Sequence, residues 1–107
     1  MRVAAVVSDL MLFSRIEAAA LVAGVSLIRL DSPSSLADDL DLVIVDWSTR
    51  KLDWADALRV RTVSRVILFG QHTDLEAHAD ARSAGLGPMW ARSRLIRELS
   101  NLFASAR

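Results

Sequence analysis

The stretch Asp41-Leu-Val-Ile-Val-Asp46 decides the fold of this 107-residue chain. Between its two aspartates stand four apolar residues in a row, of which three are β-branched. An unbroken apolar run of this kind is typical of a strand that is buried on both faces of a parallel sheet. We therefore predict a central strand over Leu42–Val45, with Asp46 directly at its carboxyl end.

Four further apolar runs predict the remaining strands. Val3–Val7 and Val66–Phe69 have the same continuous, β-branched character. Val25–Leu30 is broken by polar residues, which favours a strand nearer the edge of the sheet. Pro88–Ala91 is short and begins with proline, which strands accept at their start or at a sheet edge.

Helical signals separate the predicted strands. Leu10–Ala23 carries apolar residues at helical spacing and stops at Gly24. Ser32, followed by Pro33, predicts a short helix that ends at about Leu40. A further helix is predicted over Trp54–Val60, with Asp53 as its cap. Thr73 is predicted to cap the next helix, which ends at about Ala84, and Glu76 completes a capping box with it. Ser93 is predicted to cap the last helix, whose apolar stripe consists of Leu95, Ile96, Leu99, Leu102 and Phe103.

Strands that alternate with helices over short connections predict an α/β fold with parallel strands and right-handed crossovers. The chain length favours one domain over residues 1–107. In an open parallel sheet, ligands bind outside the carboxyl ends of the strands. The chemically capable residues that we predict at this edge are Asp9, Asp46, His72, Arg92 and Ser93.

Composition excludes several classes of function. Lys+Arg and Asp+Glu both number 13, so the formal net charge is zero and no basic patch indicates nucleic acid or an anionic membrane. Cysteine is absent, which excludes disulfides and thiolate sites. No leader or membrane-length apolar run is present, so we expect a cytoplasmic bacterial protein. Dinucleotide, Walker, hydrolase-elbow and HExxH motifs are missing, and we expect no independent enzyme.

The chain resembles response-regulator receiver domains over essentially its whole length. The resemblance rests on the apolar strand ending in Asp46 and on Ala84-Gly85, which precede a short strand and the basic residue Arg92. It implies a flavodoxin-like, three-layer sandwich whose five parallel strands follow the order 2-1-3-4-5. It also implies that Asp46 stands at the phosphoryl-accepting position and Arg92 at the position of the family's lysine.

The rest of the receiver pattern is degraded. Asp9 lies one residue beyond the positions of the two adjacent acids that hold magnesium in receivers, so Asp9 and Asp46 together would bind that ion only weakly. An arginine at position 92 is also no equivalent of a lysine point charge. Val7 and Ser8 stand where receivers have the acid pair, and Gly70 replaces the hydroxyl residue that ends their fourth strand. Met89 replaces the aromatic switch residue of their fifth strand, and Ser93 replaces the proline that follows their lysine.

Each candidate residue has a structural alternative. Asp46 is either a phosphoryl acceptor or a loop carboxylate that accepts from nearby backbone amides. Asp9 is either a metal ligand or the cap of the first helix. His72 is a phospho-acceptor, a proton shuttle or a metal ligand, or it makes an ordinary surface hydrogen bond. Arg92 and Ser93 either bind a small anion at a helix start, or they cap that helix and pair with Asp46 or Asp9.

Taken together, the sequence predicts a pseudo-receiver, a non-catalytic signalling module that works by protein–protein interaction. Two alternatives stay open: an atypical phospho-accepting receiver that uses Asp46, and a sensor of small anions at Arg92, Ser93 and His72. The protein partner is not specified by the sequence. A homodimer through the last helix is expected if Ile96 or Phe103 protrudes from it.

Overall fold

The computed structural model describes residues 1–60 and 64–104, and its strands form one parallel sheet in the order β2-β1-β3-β4-β5. Both the α/β class and the strand order predicted above are confirmed. The strands are β1 (Arg2–Val6), β2 (Ser26–Leu30), β3 (Leu42–Asp46), β4 (Arg65–Gly70) and β5 (Trp90–Ala91).

Four α-helices cover the two faces of the sheet and produce the predicted three layers. α1 and α4 share one hydrophobic core with the sheet, and α2 and α3 share the other. The helices are α1 (Leu10–Ala23), α2 (Trp54–Arg59), α3 (Leu75–Ser83) and α4 (Arg92–Ala104), and two 3₁₀ turns span Pro33–Ser35 and Trp47–Thr49.

β3 lies in the middle of the sheet and is buried along its whole length. Its side chains alternate between the two cores, with Ile44 on the α1/α4 side and Val43 and Val45 on the α2/α3 side. A strand with an apolar layer on each face has no solvent-facing side. This burial explains why its apolar run is unbroken.

The helix predicted from Ser32 to Leu40 is wrong, because the chain forms only the 3₁₀ turn Pro33–Ser35 there. The Ser32 hydroxyl accepts from the Ser34 amide at 3.2 Å and closes a local turn. The chain is then extended at Leu36. Short polar side chains that bond to nearby backbone compete with helix formation in this way, and the segment has few strong helix formers.

Three predicted helix starts also need correction. Asp74 caps α3 in place of Thr73, since its carboxylate accepts from the Ala77 amide at 3.1 Å. Ser93 does not cap α4, because β5 runs directly into the helix and Ser93 is already its second residue. Asp53 does precede α2, but its side chain makes no capping hydrogen bond.

The apolar stripe of α4 faces the core. Leu95, Leu99 and Leu102 are buried, and Phe103 has no exposed surface. Ile96 is half-buried against the same core. Phe103 therefore does not protrude from α4, whereas Ile96 keeps part of its surface exposed. Within the described ranges, every helix is too short or too polar to span a bilayer.

Candidate functional site

The carboxyl ends of β1, β3, β4 and β5 meet at one edge of the sheet, as the parallel topology requires. Asp46 is the last residue of β3, one residue later than the predicted strand end, and pairs with Phe69 of β4 in the ladder. Only 7% of Asp46 is exposed, which makes it the one buried charged residue in the described part of the chain. A carboxylate at that depth needs hydrogen-bond donors.

Ser48 supplies the donors for Asp46. The Oδ1 atom of Asp46 accepts from the Ser48 amide at 3.1 Å and from the Ser48 hydroxyl at 2.5 Å. The Asp46 carbonyl oxygen accepts from the Thr49 hydroxyl at 2.9 Å. Asp46 is thus the N-terminal cap of the 3₁₀ turn that follows β3. Our sequence analysis did not single out Ser48, although an aspartate two residues before a serine is a known local turn pattern.

The second carboxylate oxygen of Asp46, Oδ2, makes no hydrogen bond to any described residue. Asp46 therefore keeps one oxygen that is free to react, while its other oxygen is fixed by Ser48. The local geometry fits both interpretations of this residue, the turn cap and the acceptor.

Asp9 has no free oxygen. Its Oδ1 caps α1 by accepting from the amides of Met11 at 3.0 Å and Leu12 at 3.1 Å, which confirms the predicted cap. Its Oδ2 accepts from Nη2 of Arg92 at 2.6 Å. The Arg92 hydrogen bond comes first, and the Leu12 amide second, among the causes that hold the pKa of Asp9 below its usual value.

The Asp9–Arg92 pair links the start of α1 to the start of α4 across the edge of the sheet. Both side chains are partly exposed, 39% for Asp9 and 44% for Arg92. Of the two partners that the sequence offered for Arg92, the structure pairs it with Asp9 and not with Asp46. The cation at position 92 is therefore already paired within the chain.

In this structure Asp9 and Asp46 leave a magnesium ion few oxygens that are not already hydrogen-bonded. Magnesium prefers six oxygen ligands in octahedral arrangement, usually including one or two carboxylates. Asp9 has both oxygens engaged, and Asp46 offers only Oδ2. Across residues 1–60 and 64–104, no three His, Asp or Glu side chains gather as a metal site would require.

A shallow groove of about 430 Å³ brings three predicted residues together. His72, Arg92 and Ser93 line it, together with Gln71, Thr73, Ala91 and Ile96. His72 and Ser93 are exposed, and the backbone oxygen of His72 lies 3.2 Å from Nε2 of His78. The groove groups the residues that we considered for anion binding, and Asp46 is not among those that line it.

Gly70 and Met89, which the resemblance to receivers places at the switch positions, lie next to each other at the ends of β4 and β5. Gly70 ends β4, and Met89 lies buried just before β5. A Cβ atom on residue 70 would stand 3.0 Å from Sδ and 3.1 Å from Cε of Met89. The methionine thus occupies the space that a hydroxyl-bearing side chain at position 70 would need.

Trp47 is a packing residue. It is 2% exposed and belongs to the core between the sheet and α2 and α3. The guanidinium of Arg50 lies 5.8 Å from the centre of its ring, and Asp80 holds that guanidinium in place. Because Trp47 directly follows Asp46, its fluorescence is a suitable reporter of changes at this edge.

Comparison with known proteins gives a result at the level of the fold. No protein-family model matches the chain, and no curated protein matches it either. The receiver domain of a Francisella response regulator matches with a TM-score of 0.65 and 15% identity, over 99% of this chain and 98% of that chain. A receiver domain protein from Clostridium thermocellum matches with a TM-score of 0.65 and 18% identity, over 98% and 95% of the two chains.

At such low identity the likeness concerns architecture alone. It covers almost the full length of both solved domains, and it agrees with the strand order and the layers described above. The chain therefore has the fold of a response-regulator receiver domain.

Proposed function

We propose that this protein is a pseudo-receiver, a non-catalytic signalling module of the cytoplasm that acts by binding other proteins and is not switched by phosphorylation. The observation that carries the proposal is the Asp9–Arg92 pair at 2.6 Å. In this pair, the acid that caps α1 and the cation at the position where receivers have a lysine neutralise each other. Receiver chemistry needs both groups to face a metal ion and a phosphoryl group instead.

Recruiting these two side chains for phosphorylation has a cost. Arg92 would have to leave Asp9 in order to meet a phosphoryl oxygen, and Asp9 would have to release the α1 amides in order to meet a cation. Each move replaces an existing hydrogen bond with a new one, so the net gain in free energy is small. Without a second acid, the charge of an aspartyl phosphate would also be poorly neutralised.

The Gly70–Met89 contact supports the same proposal. In receivers the hydroxyl at the end of the fourth strand follows the phosphoryl group and transmits the switch. Here position 70 has no side chain, and Met89 fills the adjoining space. A phosphoryl group on Asp46 would thus have no hydroxyl at this position through which to move the neighbouring elements.

One observation favours the second candidate, an atypical phospho-accepting receiver. Oδ2 of Asp46 has no hydrogen bond within the described residues, and an acceptor needs such an oxygen. In this candidate Ser48 would hold the carboxylate in position, and Arg92 would rotate from Asp9 towards the phosphate. The third interpretation, a small-anion sensor, draws on the groove of His72, Arg92 and Ser93.

The deciding experiment treats the protein with acetyl phosphate and magnesium and measures phosphoryl transfer by intact-protein mass spectrometry. Trp47 fluorescence during a beryllofluoride titration gives an independent readout. We expect no incorporation and no saturable change, and Asp46→Asn should behave as wild type does. Stable labelling that is lost in Asp46→Asn would establish the phospho-accepting receiver and end the pseudo-receiver proposal.

Calorimetry separates the anion sensor from both receiver candidates. We expect inorganic phosphate to give no heat beyond dilution, because Arg92 is already paired with Asp9. Saturable binding that is lost in Arg92→Gln and kept in Asp46→Asn would favour the sensor. Arg97→Gln, which removes an exposed arginine of the same helix, is the matched control.

A further inference from the structure

The outward face of α1 is unusual because it is largely apolar. Of the eight large apolar side chains that are exposed in residues 1–60 and 64–104, four belong to this helix. Met11, Leu21 and Val22 are 83%, 81% and 89% exposed, and Leu10 is 63% exposed. A surface helix normally turns charged and polar residues to the solvent, and a helix that is apolar all round is normally covered.

The inward face of α1 is already used by the core of the protein. Leu12, Ile16 and Ala20 are buried there against the sheet and α4. The exposed residues lie on the opposite side, so nothing within the described chain covers them. With about 100° per residue, Ser14 and Ala18 run along the middle of this outward face.

The two edges of the outward face carry opposite charges. Arg15 and Glu17 are the charged residues of α1, and they project to opposite sides of the line through Ser14 and Ala18. The helix therefore presents an apolar band with one cationic edge and one anionic edge. Such a band is complementary to a second copy of itself when the two helices run parallel about a two-fold axis, because each Arg15 edge then faces a Glu17 edge.

Two hollows flank α1 on the side that faces α4, which is also the Arg15 side. One, of about 460 Å³, is lined by Ala18, Ala19, Val22 and the small residues Ser100 and Ala104 of α4. The other, of about 510 Å³, lies nearer the helix start and is lined by residues that include Met11, Arg15 and Ile96. Both hollows are open to solvent. The first is lined mainly by apolar and small residues, and the second also has Asp9, Ser14 and Arg92 in its lining.

Leu21 and Leu10 lie on the Glu17 side of the face. Along the helix axis, Leu21 is level with the first hollow and Leu10 with the second. In the parallel arrangement, Leu21 of a second copy enters the hollow beside Val22, and Leu10 of that copy enters the hollow beside Met11. The same contacts occur twice, as an isologous interface requires. The zero net charge of the chain adds no general repulsion between copies.

We propose that the protein forms a homodimer through α1, with the two helices parallel about a two-fold axis and Leu10 and Leu21 of each copy seated in the partner's hollows. The exposed apolar residues of this surface belong to α1, and α4 contributes Ile96, Ser100 and Ala104 to the walls of the hollows. Asp46 lines neither hollow, whereas Asp9 and Arg92 line the hollow nearer the helix start.

Sedimentation velocity over a range of protein concentrations tests the dimer. Wild type should pass from monomer to dimer as the concentration rises. Leu21→Glu should raise the dissociation constant about hundredfold or more, because each dimer would bury two carboxylates without partners. Leu52→Glu is the matched control, since Leu52 is fully exposed outside α1 and its replacement should leave the dimer unchanged.

A charge exchange tests the orientation of the helices. Arg15→Glu should weaken the dimer, because an acidic edge then faces an acidic edge on both sides. The double variant Arg15→Glu/Glu17→Arg should recover the wild-type association, because it only swaps the two edges. An antiparallel pair would place like edges together and would not respond in this way.

Three outcomes would overturn the proposal: a wild type that stays monomeric up to its solubility limit, a dimer that survives Leu21→Glu, and a dimer that is indifferent to Arg15→Glu. Co-sedimentation of monomeric wild type with phosphatidylglycerol vesicles, lost in Leu21→Glu, would overturn it by assigning the face to a bilayer. Far-ultraviolet circular dichroism confirms that each variant is folded, which we expect because Leu21 and Arg15 are exposed.

Discussion

Asp9 has a dual role in the structure, because one oxygen caps α1 and the other binds Arg92. Both interactions favour the ionised carboxylate, and the pKa of Asp9 is held below its usual value, first by Arg92 and then by the Leu12 amide. A carboxyl group whose pKa is lower in the folded state stabilises the fold above its unfolded pKa, about 3.9. That stabilisation is lost as the pH falls through the folded pKa.

We therefore expect Asp9→Asn to be less stable than wild type at pH 7, with a difference that shrinks as the pH falls below about 4. Asparagine can still cap the helix, so the difference reports the charge. Urea unfolding at neutral and acid pH measures it. In an Arg92→Gln background the neutral-pH difference should be smaller, and an undiminished difference would show that Arg92 is not the main cause.

At the level of elements, the ends of β4 and β5 fit together through a glycine and a methionine. A Cβ atom on Gly70 would contact Met89 at 3.0 Å, closer than side chains normally approach. The contact is with the far end of a flexible side chain, which can shift at moderate cost. Glycine within a strand also loses more conformational entropy on folding than alanine does. In a Gly70→Ala variant, this entropic gain would oppose the steric cost of moving Met89.

Gly70→Ala should therefore destabilise the wild type by about 1 kcal/mol, because Met89 must move within a packed core. In a Met89→Ala background, the same substitution should stabilise the protein by about 0.5 kcal/mol, since only the entropy of the unfolded chain then changes. A double-mutant cycle by urea denaturation measures the coupling. Equal effects in both backgrounds would rule out the proposed contact.

At the scale of the whole molecule, one sheet connects two cores. Ile44 points into the core under α1 and α4, and Leu68 points into the core under α2 and α3. Both side chains are fully buried on neighbouring central strands. The same strands form part of both cores. If one helical layer unfolds, the sheet loses the packing on that face, so we expect the other layer to unfold with it.

We expect Ile44→Ala and Leu68→Ala each to lower the free energy of unfolding by about 2–5 kcal/mol and to shift one common transition. Tryptophan fluorescence, which reports Trp47 and Trp54 in the α2/α3 core and Trp90 beside the α1/α4 core, should coincide with far-ultraviolet circular dichroism in both variants. Two separated transitions would contradict the single domain that the sequence predicts over residues 1–107.

Much of the architecture follows from the sequence, because the patterns that encode it are local. The apolar run before Asp46 specifies a strand buried on both faces, and the spacing within Leu10–Ala23, with Gly24 behind it, specifies α1 to its exact bounds. The segment after Ser32 was mistaken for a helix because a cap followed by proline also begins a 3₁₀ turn. Only packing and local hydrogen bonds decide how far such a turn continues.

The composition of the candidate site was predictable, and its pairing was not. Parallel strands place their carboxyl ends at one edge, so Asp9, Asp46 and Arg92 were expected near each other. Whether Arg92 pairs with Asp9 or Asp46 depends on where α4 begins, and β5 enters α4 without a separate cap. The sequence by itself thus determined the strands and the residues at the edge, and its resemblance to receiver domains implied the strand order. Tertiary structure alone decided which charges meet and which face of α1 stays uncovered, because these depend on distances between segments far apart in the chain.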